Sequence, residues 1–559
     1  MPRGTRATVS GRRGSVPDVP PGDVRKRARD AARPGPAIAG LLAAAVTGIG
    51  GSARSGQDAM AEAVERSIAT GEHLAVQAGT GTGKSLAYLV PAVAHAAGRG
   101  ASVVVATATI ALQRQLIDRD LPRLAEALEP LLGRPPTFAI LKGRRNYLCL
   151  HRLRTGPPDE PGETLFDPGA VSAVGRQVQR LTEWAGTTTT GDRDDLVPGV
   201  DDRAWRQVSV TARECLGAQR CPFGSSCFAE LARDAAGRVD IVVTNHALLA
   251  IDALEDFGVL PEHDVVIIDE AHDLVNRVTS AASAEVSAAA VETAARRCAR
   301  LLSADEAAPL REAGEAAARV LADVPAGRID VLAEPLAAML ASVRDAASAC
   351  AMQVRASSGE ASQDAERLAA GRATLAALDD VGVTAGRILA AFGPDIAARP
   401  DVVWMDRPQL EEARRPATLR VAPLDVGGLL AERLFRRRTV VLTSATLALG
   451  GSFEPLARQW GLPPPGPVNG TSPADGQTPS ASDSPGGLAW RGLDVGSPFD
   501  HPRSGILYIA RHLPPPGRDG LPESYLAELR ELIDAAGGRT LGLFSSMRAA
   551  RQAAEELRG

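Results

Sequence analysis

Short runs of aliphatic and β-branched residues recur along the chain, separated by longer stretches in which Ala and Leu return at helical spacing. The runs are Leu74-Ala75-Val76, Val103-Val104-Val105, Ile241-Val242-Val243, Val265-Val266-Ile267-Ile268 and Val440-Val441-Leu442. Each is apolar at every position rather than at alternate ones. Strands of that kind are buried on both faces, as in a parallel sheet covered by helices. The fold class read from this pattern is α/β.

Two stretches break the alternation. Residues 143–235 are rich in charge and hold four of the chain's six cysteines, and residues 281–420 are dominated by Ala, Leu, Arg and Glu at helical spacing. Both read as insertions, so one α/β domain is expected to be assembled from 36–142, 236–280 and 421–462. A stretch rich in Pro, Ser, Gly and Asp, 463–487, reads as a flexible linker before 488–559. Residues 1–35, with Arg25-Lys26-Arg27-Ala28-Arg29 at their centre, have no apolar periodicity and read as a disordered basic tail.

Composition narrows the classes. At 559 residues the chain exceeds a single core, and 45% hydrophobic with 23% charged residues is ordinary for globular proteins. The net charge of −5 leaves any polyanion contact to local basic surfaces. No apolar run is long enough to span a bilayer, and six cysteines are too few for a disulfide scaffold. A cytoplasmic protein with no membrane role is expected. Of 62 basic residues only Lys26, Lys84 and Lys142 are lysines, so each lysine invites a reason.

Lys84 has one. Ala78-Gly79-Thr80-Gly81-Thr82-Gly83-Lys84-Ser85 follows the strand-like His73–Gln77 and opens a helical stretch. Glycines there let backbone N–H groups turn around phosphate oxygens, and the helix presents its positive end to the same anion. Lys84 is placed to reach the β- and γ-phosphates and Ser85 to ligate Mg²⁺. Asp269-Glu270-Ala271-His272 follows the strand run at Ile268, at the edge where parallel sheets bind ligands. There Asp269 is expected to hold Mg²⁺, Glu270 to orient and deprotonate the attacking water, and His272 to link the site to its neighbours.

The phosphate loop and acidic box together resemble superfamily 2 helicases of the DinG/XPD-like group, and further segments match that group in order over about residues 50–559. Arg54-Ser55-Gly56-Gln57 is similar to its adenine-contacting element, with Gln57 suited to paired hydrogen bonds on a base edge. Ala106-Thr107-Ala108-Thr109 and Thr443-Ser444-Ala445-Thr446 resemble its DNA-contacting and ATP–DNA coupling motifs, and Asn245-His246 another of its boxes. The resemblance implies a RecA-like motor domain with an iron–sulfur insertion (143–235) and a helical arch (281–420). It also implies ATP-dependent, 5′-to-3′ movement on single-stranded DNA, with unwinding of forked or displaced-strand duplexes in DNA repair or at replication conflicts. A possible RNA–DNA hybrid substrate, a monomeric state and association with the nucleoid complete the expectation.

Cys149, Cys215, Cys221 and Cys227 can hold a [4Fe–4S] cluster or a zinc ion; the C-x₂₋₄-C pairs usual for zinc are missing, and the resemblance implies the cluster. Arg144, Arg145, Arg152 and Arg154 around them are candidates for phosphate contacts or for a solvated basic face. Cys298 and Cys350 read as packed free thiols. The arch region has an alternative reading as a partner-docking helical module. Gly496-Ser497-Pro498-Phe499-Asp500, Ile506–Ile509 and Arg539–Ser546 resemble the opening of a second RecA-like domain, which is expected to be incomplete. The γ-phosphate arginines of the group's last motifs have no counterpart, so the sequence predicts ATP binding with very poor hydrolysis, as in a fragment acting only as an ATP- and nucleic-acid-binding protein.

Overall fold

The structure is a computed structural model that describes residues 37–156, 173–254, 258–357, 364–407, 417–464, 488–515, 517 and 520–558. The basic tail and all but the first two residues of the expected linker lie outside these.

All five apolar runs are strands of one seven-stranded, wholly parallel sheet. Its strands are β1 (His73–Gln77), β2 (Ser102–Thr107), β3 (Phe138–Ile140), β4 (Ile241–Asn245), β5 (His263–Asp269), β10 (Thr439–Ser444) and β11 (Trp490–Asp494), in the order β11-β1-β10-β5-β2-β4-β3. The continuous apolar pattern has the expected cause. Leu74, Val76, Val103, Val105 and Ile267 pack on one face against α1 (Ile38–Gly48), α2 (Ser55–Thr70), α3 (Lys84–Arg99) and α4 (Leu121–Leu132). Ala75, Val104, Val242, Ile268 and Leu442 face the other way, toward Phe435 and Trp460. Successive residues of a strand point to opposite faces, so covering both faces requires apolar side chains throughout.

His73 opens β1 inside this core. Its Nδ1 accepts a hydrogen bond from Val440 N at 3.2 Å, its ring meets Phe435 edge-on with centroids 5.1 Å apart, and burial lowers its pKa to about 4. Between pH 6.5 and 4 the unfolded chain therefore binds this proton before the folded one does, and stability rises with pH across that window. The melting temperature is expected to fall as the pH is lowered from 7 to 5, and His73→Asn to flatten that fall; an unchanged slope in the variant would assign the acid sensitivity elsewhere.

The chain leaves the sheet after β3 and rejoins it at β4. The intervening cysteine-bearing segment has a small core of its own, in which Leu148, Leu181, Leu196, Trp205 and Val208 are buried. A second departure, between β5 and β10, forms α5 (Ala288–Cys298), α6 (Ala304–Asp323), α7 (Glu334–Ser357) and α8 (Ala365–Ala390). Gly382 of α8 lies so close to Ala347 of α7 that a Cβ there would stand 3.1 Å from it. Cys298 and Cys350 are buried in this core as free thiols in contact with each other.

This region is not purely helical. A four-stranded antiparallel sheet, β6-β9-β8-β7, shares its core: β6 (Ala284–Val286), β7 (Gly327–Arg328), β8 (Asp401–Asp406) and β9 (Thr418–Pro423). β6 and β7 are three and two residues long, too short to mark themselves in the sequence, while the apolar run Val402–Met405 of β8 lies inside a region read as helical.

One expectation about the last segment needs correction. Trp490–Asp494, placed with a second motor domain, is instead the edge strand of the first sheet, paired with β1 from His73↔Trp490 to Gln77↔Asp494. A separate unit begins at Phe499 and contains the helices Glu523–Ala535 and Met547–Glu556, joined where Gln552 bonds both backbone groups of Leu521. Ile506–Ile509 and Leu541–Phe544 form no strand; Ile506 is 96% and Leu543 88% exposed. An extended segment needs a neighbouring strand to satisfy its backbone, and none pairs with these among the described residues.

Candidate active site

The C-terminal ends of β1, β5 and β10 lie side by side, in the register Val76↔Thr443 and Thr443↔Asp269. Three sequence-distant motifs therefore meet at one edge. From β1 the chain turns through Ala78, Gly79, Thr80, Gly81, Thr82 and Gly83 into α3, with Thr82 Oγ1 donating to Gly79 O at 2.7 Å. Gly83 has φ +86°, where a side chain is strained, and a Cβ there would sit 2.3 Å from Gln57 Nε2. Gly79 answers a different demand. Its N–H donates to Gly496 O at 2.9 Å, and a Cβ would stand 3.0–3.1 Å from Gly496 and Ser497, so the segment after β11 crosses directly against the loop.

Lys84 and Glu270 face each other, Nζ donating to Oε1 at 3.2 Å. The other carboxylate oxygen of Glu270 accepts from Ser444 Oγ at 2.9 Å, and His272 Nδ1 lies 2.8 Å from the same hydroxyl. A continuous polar chain thus runs from the phosphate loop through the acidic box to the end of β10. Glu270 has φ 55°, the one positive φ of a non-glycine residue among those described. Such a conformation costs roughly 1–3 kcal/mol and persists only where its surroundings hold it.

Asp269 is buried at the end of β5, with Oδ1 accepting from Glu270 N at 3.0 Å and Oδ2 from Tyr88 OH at 3.0 Å. Burial lifts its carboxyl above the usual carboxylate range, against the lowering pull of Lys84. His246 donates from Nε2 to the Asp269 carbonyl at 2.8 Å, and burial holds its pKa near 4, so it is neutral at physiological pH. Thr443 Oγ1 is buried without a partner among the described residues.

Gln57, on α2, donates to Gly83 O at 3.0 Å, and Arg54 donates to Gly81 O. Beside them is a cavity of about 260 Å³ lined also by Ser85, Arg119 and Arg123. Thr107, Thr109 and Asn245 do not join this cluster. Thr109 caps the next helix through Leu112 N, Thr107 Oγ1 turns back to Thr109 O, and Asn245 Oδ1 caps its own helix through Leu248 N. Thr446 lies in the segment after β10, where Leu447 N and Ala448 N both donate to Gln77 Oε1 at 2.8 Å. Sequence reasoning missed Gln77 and Tyr88, since one reads as a strand end and the other as a core aromatic.

The four insertion cysteines are free thiols around one cavity of about 200 Å³, roofed by Glu366, Ala369, Ala370 and Ala373 of α8. Cys149 Sγ accepts from Arg152 N at 3.5 Å and Cys215 Sγ from Gly217 N at 3.4 Å. Arg144 pairs with Glu230 and lies 3.6 Å from Cys215 Sγ, while Arg152 and Arg297 converge on Glu214. Arg144 and Arg152 are thus turned inward onto carboxylates, which corrects the reading of them as part of a solvated basic face. Arg154 lies over the Phe223 ring. Among the described residues no three His, Cys, Asp or Glu side chains converge closely enough to hold one metal ion, and no helix is long and apolar enough to cross a membrane.

A parallel sheet with a phosphate loop and an acidic box at its C-terminal edge is the architecture of a P-loop motor. The DEAD/DEAH box helicase profile matches residues 56–131, and the DEAD_2 profile residues 213–291. The ATP-dependent helicase DinG of Mycobacterium tuberculosis is 54% identical over 525 residues, 93% of this chain and 75% of that protein. The ATP-dependent DNA helicase YoaA of Escherichia coli is 30% identical over 533 residues, again 93% and 75%. This chain belongs to the DinG family of ATP-dependent helicases. A solved XPD helicase shares 13% identity at a TM-score of 0.41, covering 87% of this chain and 71% of its own, and a truncated XPD shares 15% at 0.36, covering 72% and 96%.

Proposed function

We propose that this helicase moves 5′-to-3′ along single-stranded DNA and opens forked or displaced-strand duplexes, RNA–DNA hybrids included, as a monomer acting at the nucleoid in DNA repair or at replication conflicts. The observation that carries a hydrolytic motor is the unbroken chain Lys84–Glu270–Ser444–His272, which ties the phosphate loop to the strand end resembling the family's coupling motif. Backbone N–H groups of the loop and the N-terminus of α3 receive the phosphates, and Lys84 leaves Glu270 to meet the γ-phosphate. Glu270, released, orients and deprotonates the attacking water. Ser85 and Asp269 would hold Mg²⁺, which would supply charge neutralisation for the phosphates. Gln57 keeps its carbonyl oxygen and remaining amide hydrogen for the adenine edge. Thr107, Thr109, Asn245, His246, Thr443 and Thr446 border the face across which the strand runs.

The insertion thiols fit an iron–sulfur cluster better than zinc. Zinc draws thiolates to a point at about 2.3 Å, whereas these four ring a cavity, and two of them, Cys149 and Cys215, receive backbone N–H groups on sulfur. The cluster's contribution is structural, holding together an insertion with little core of its own.

The test is ATP hydrolysis with and without single-stranded DNA, alongside binding of a fluorescent ATP analogue. Lys84→Ala is expected to weaken MgATP binding by at least roughly 30-fold, about 2 kcal/mol for a lost charge-assisted contact. Nucleotide binding at wild-type strength in that variant, or turnover indifferent to DNA in the parent protein, would count against the motor.

A further inference from the structure

We propose that Tyr88 is a positioning residue for the magnesium ion, holding Ser85 and Asp269 in the geometry that captures it; this rests on the assignment of those two residues to magnesium. Tyr88 lies one turn beyond Lys84 and three residues beyond Ser85, on the same face of α3. It is fully buried, so its ring packs in the core beneath the phosphate loop and cannot touch nucleotide. Its hydroxyl donates to Asp269 Oδ2 at 3.0 Å and also meets the Ser85 side chain. One hydroxyl therefore joins two groups from different motifs, 181 positions apart at the Tyr88–Asp269 end.

Packing alone does not call for that hydroxyl, because Phe or Leu would fill the site. A buried hydroxyl without a partner is costly, and here the partner is a buried carboxylate. With Glu270 N on Oδ1 and Tyr88 on Oδ2, both oxygens of Asp269 are tethered and the carboxylate plane is fixed. Each oxygen retains a lone pair for the ion or its water shell. Small, strictly octahedral Mg²⁺ rewards such fixed oxygens more than a tolerant cation does.

The test is Tyr88→Phe, which keeps the ring, compared with Asp269→Asn. Binding of a fluorescent ATP analogue is followed in EDTA and across a titration of free Mg²⁺, with melting temperature as a control. Tyr88→Phe is expected to bind nucleotide normally in EDTA but to need roughly tenfold more Mg²⁺ for half-maximal effect, with Mn²⁺ narrowing the gap. A lower melting temperature with an unmoved Mg²⁺ midpoint makes Tyr88 a packing residue only and overturns the proposal, even if Asp269→Asn shifts that midpoint. If Asp269→Asn leaves the midpoint unmoved as well, the magnesium assignment itself falls, and this proposal with it.

Discussion

Glu270→Gln is expected to lower ATP turnover by roughly 10²–10⁴-fold, the span of a lost general base, without weakening MgATP binding. Gln is nearly isosteric, so it can keep the contact with Ser444 and the left-handed backbone that the surrounding strand ends impose on position 270. It cannot accept a proton from water, and it removes the charge that competes for Lys84. The lysine pairs with Glu270 at 3.2 Å, and a nucleotide that draws Lys84 to its phosphates breaks that pair in the parent protein but has no such pair to break in the variant. Affinity should therefore rise as turnover falls. Steady-state hydrolysis with parallel binding titrations checks both halves, and turnover within tenfold of the parent protein would remove Glu270 from the role of base.

Cys221→Ser is expected to remove the cluster's visible absorbance and bound iron and to unfold the insertion around it, while MgATP binding persists. Metal-binding energy becomes folding energy in small domains, with apparent values of about 10–16 kcal/mol for structural zinc peptides. Among the described residues the insertion's own core cluster is small, with five buried side chains to set against such a loss. One of them reports on it. Trp205 is 1% exposed and donates from its indole to Arg145 O at 2.7 Å, so loosening the insertion should shift tryptophan emission to the red and open the segment to protease. Iron assay, absorbance and emission spectra of anaerobically purified protein decide the matter. A colourless, zinc-loaded parent protein would sink the cluster assignment, and an intact Trp205 environment in the variant would sink its structural role.

The legible part of the sequence was that in which one physical demand fixes several consecutive residues. Five buried strands announced themselves because both of their faces are covered, and the phosphate loop because its turn needs glycine between a strand and a helix. β3 and β11 escaped notice: Phe-Ala-Ile is too short a run, and Trp-Arg-Gly-Leu-Asp carries polar residues suited to a sheet edge. The small antiparallel sheet was hidden because β6 and β7 are two or three residues long and β8 and β9 follow a long helical stretch that sets the reading of the region. At the site, individual motifs were legible but their partners were not. Nothing local says that Ser444 will meet Glu270, that Tyr88 will reach Asp269, or that Gly79 is small to admit Gly496 and Ser497 as well as a phosphate. Arg144 and Arg152 misled for the same reason, since a basic cluster looks alike in sequence whether its charges face solvent or a half-buried carboxylate.

The neighbours of β1 set an order in time. Both strands flanking it, β10 and β11, come from late in the chain, and the contact from Gln77 to Asp494 spans 417 positions. At the usual 5–20 residues per second of ribosomal elongation, β1 emerges on the order of 20–80 s before its outer neighbour has been made. For that interval the phosphate loop has no finished edge to sit on, and the nascent chain is exposed to misfolding and to chaperones at the very strand that later carries its nucleotide.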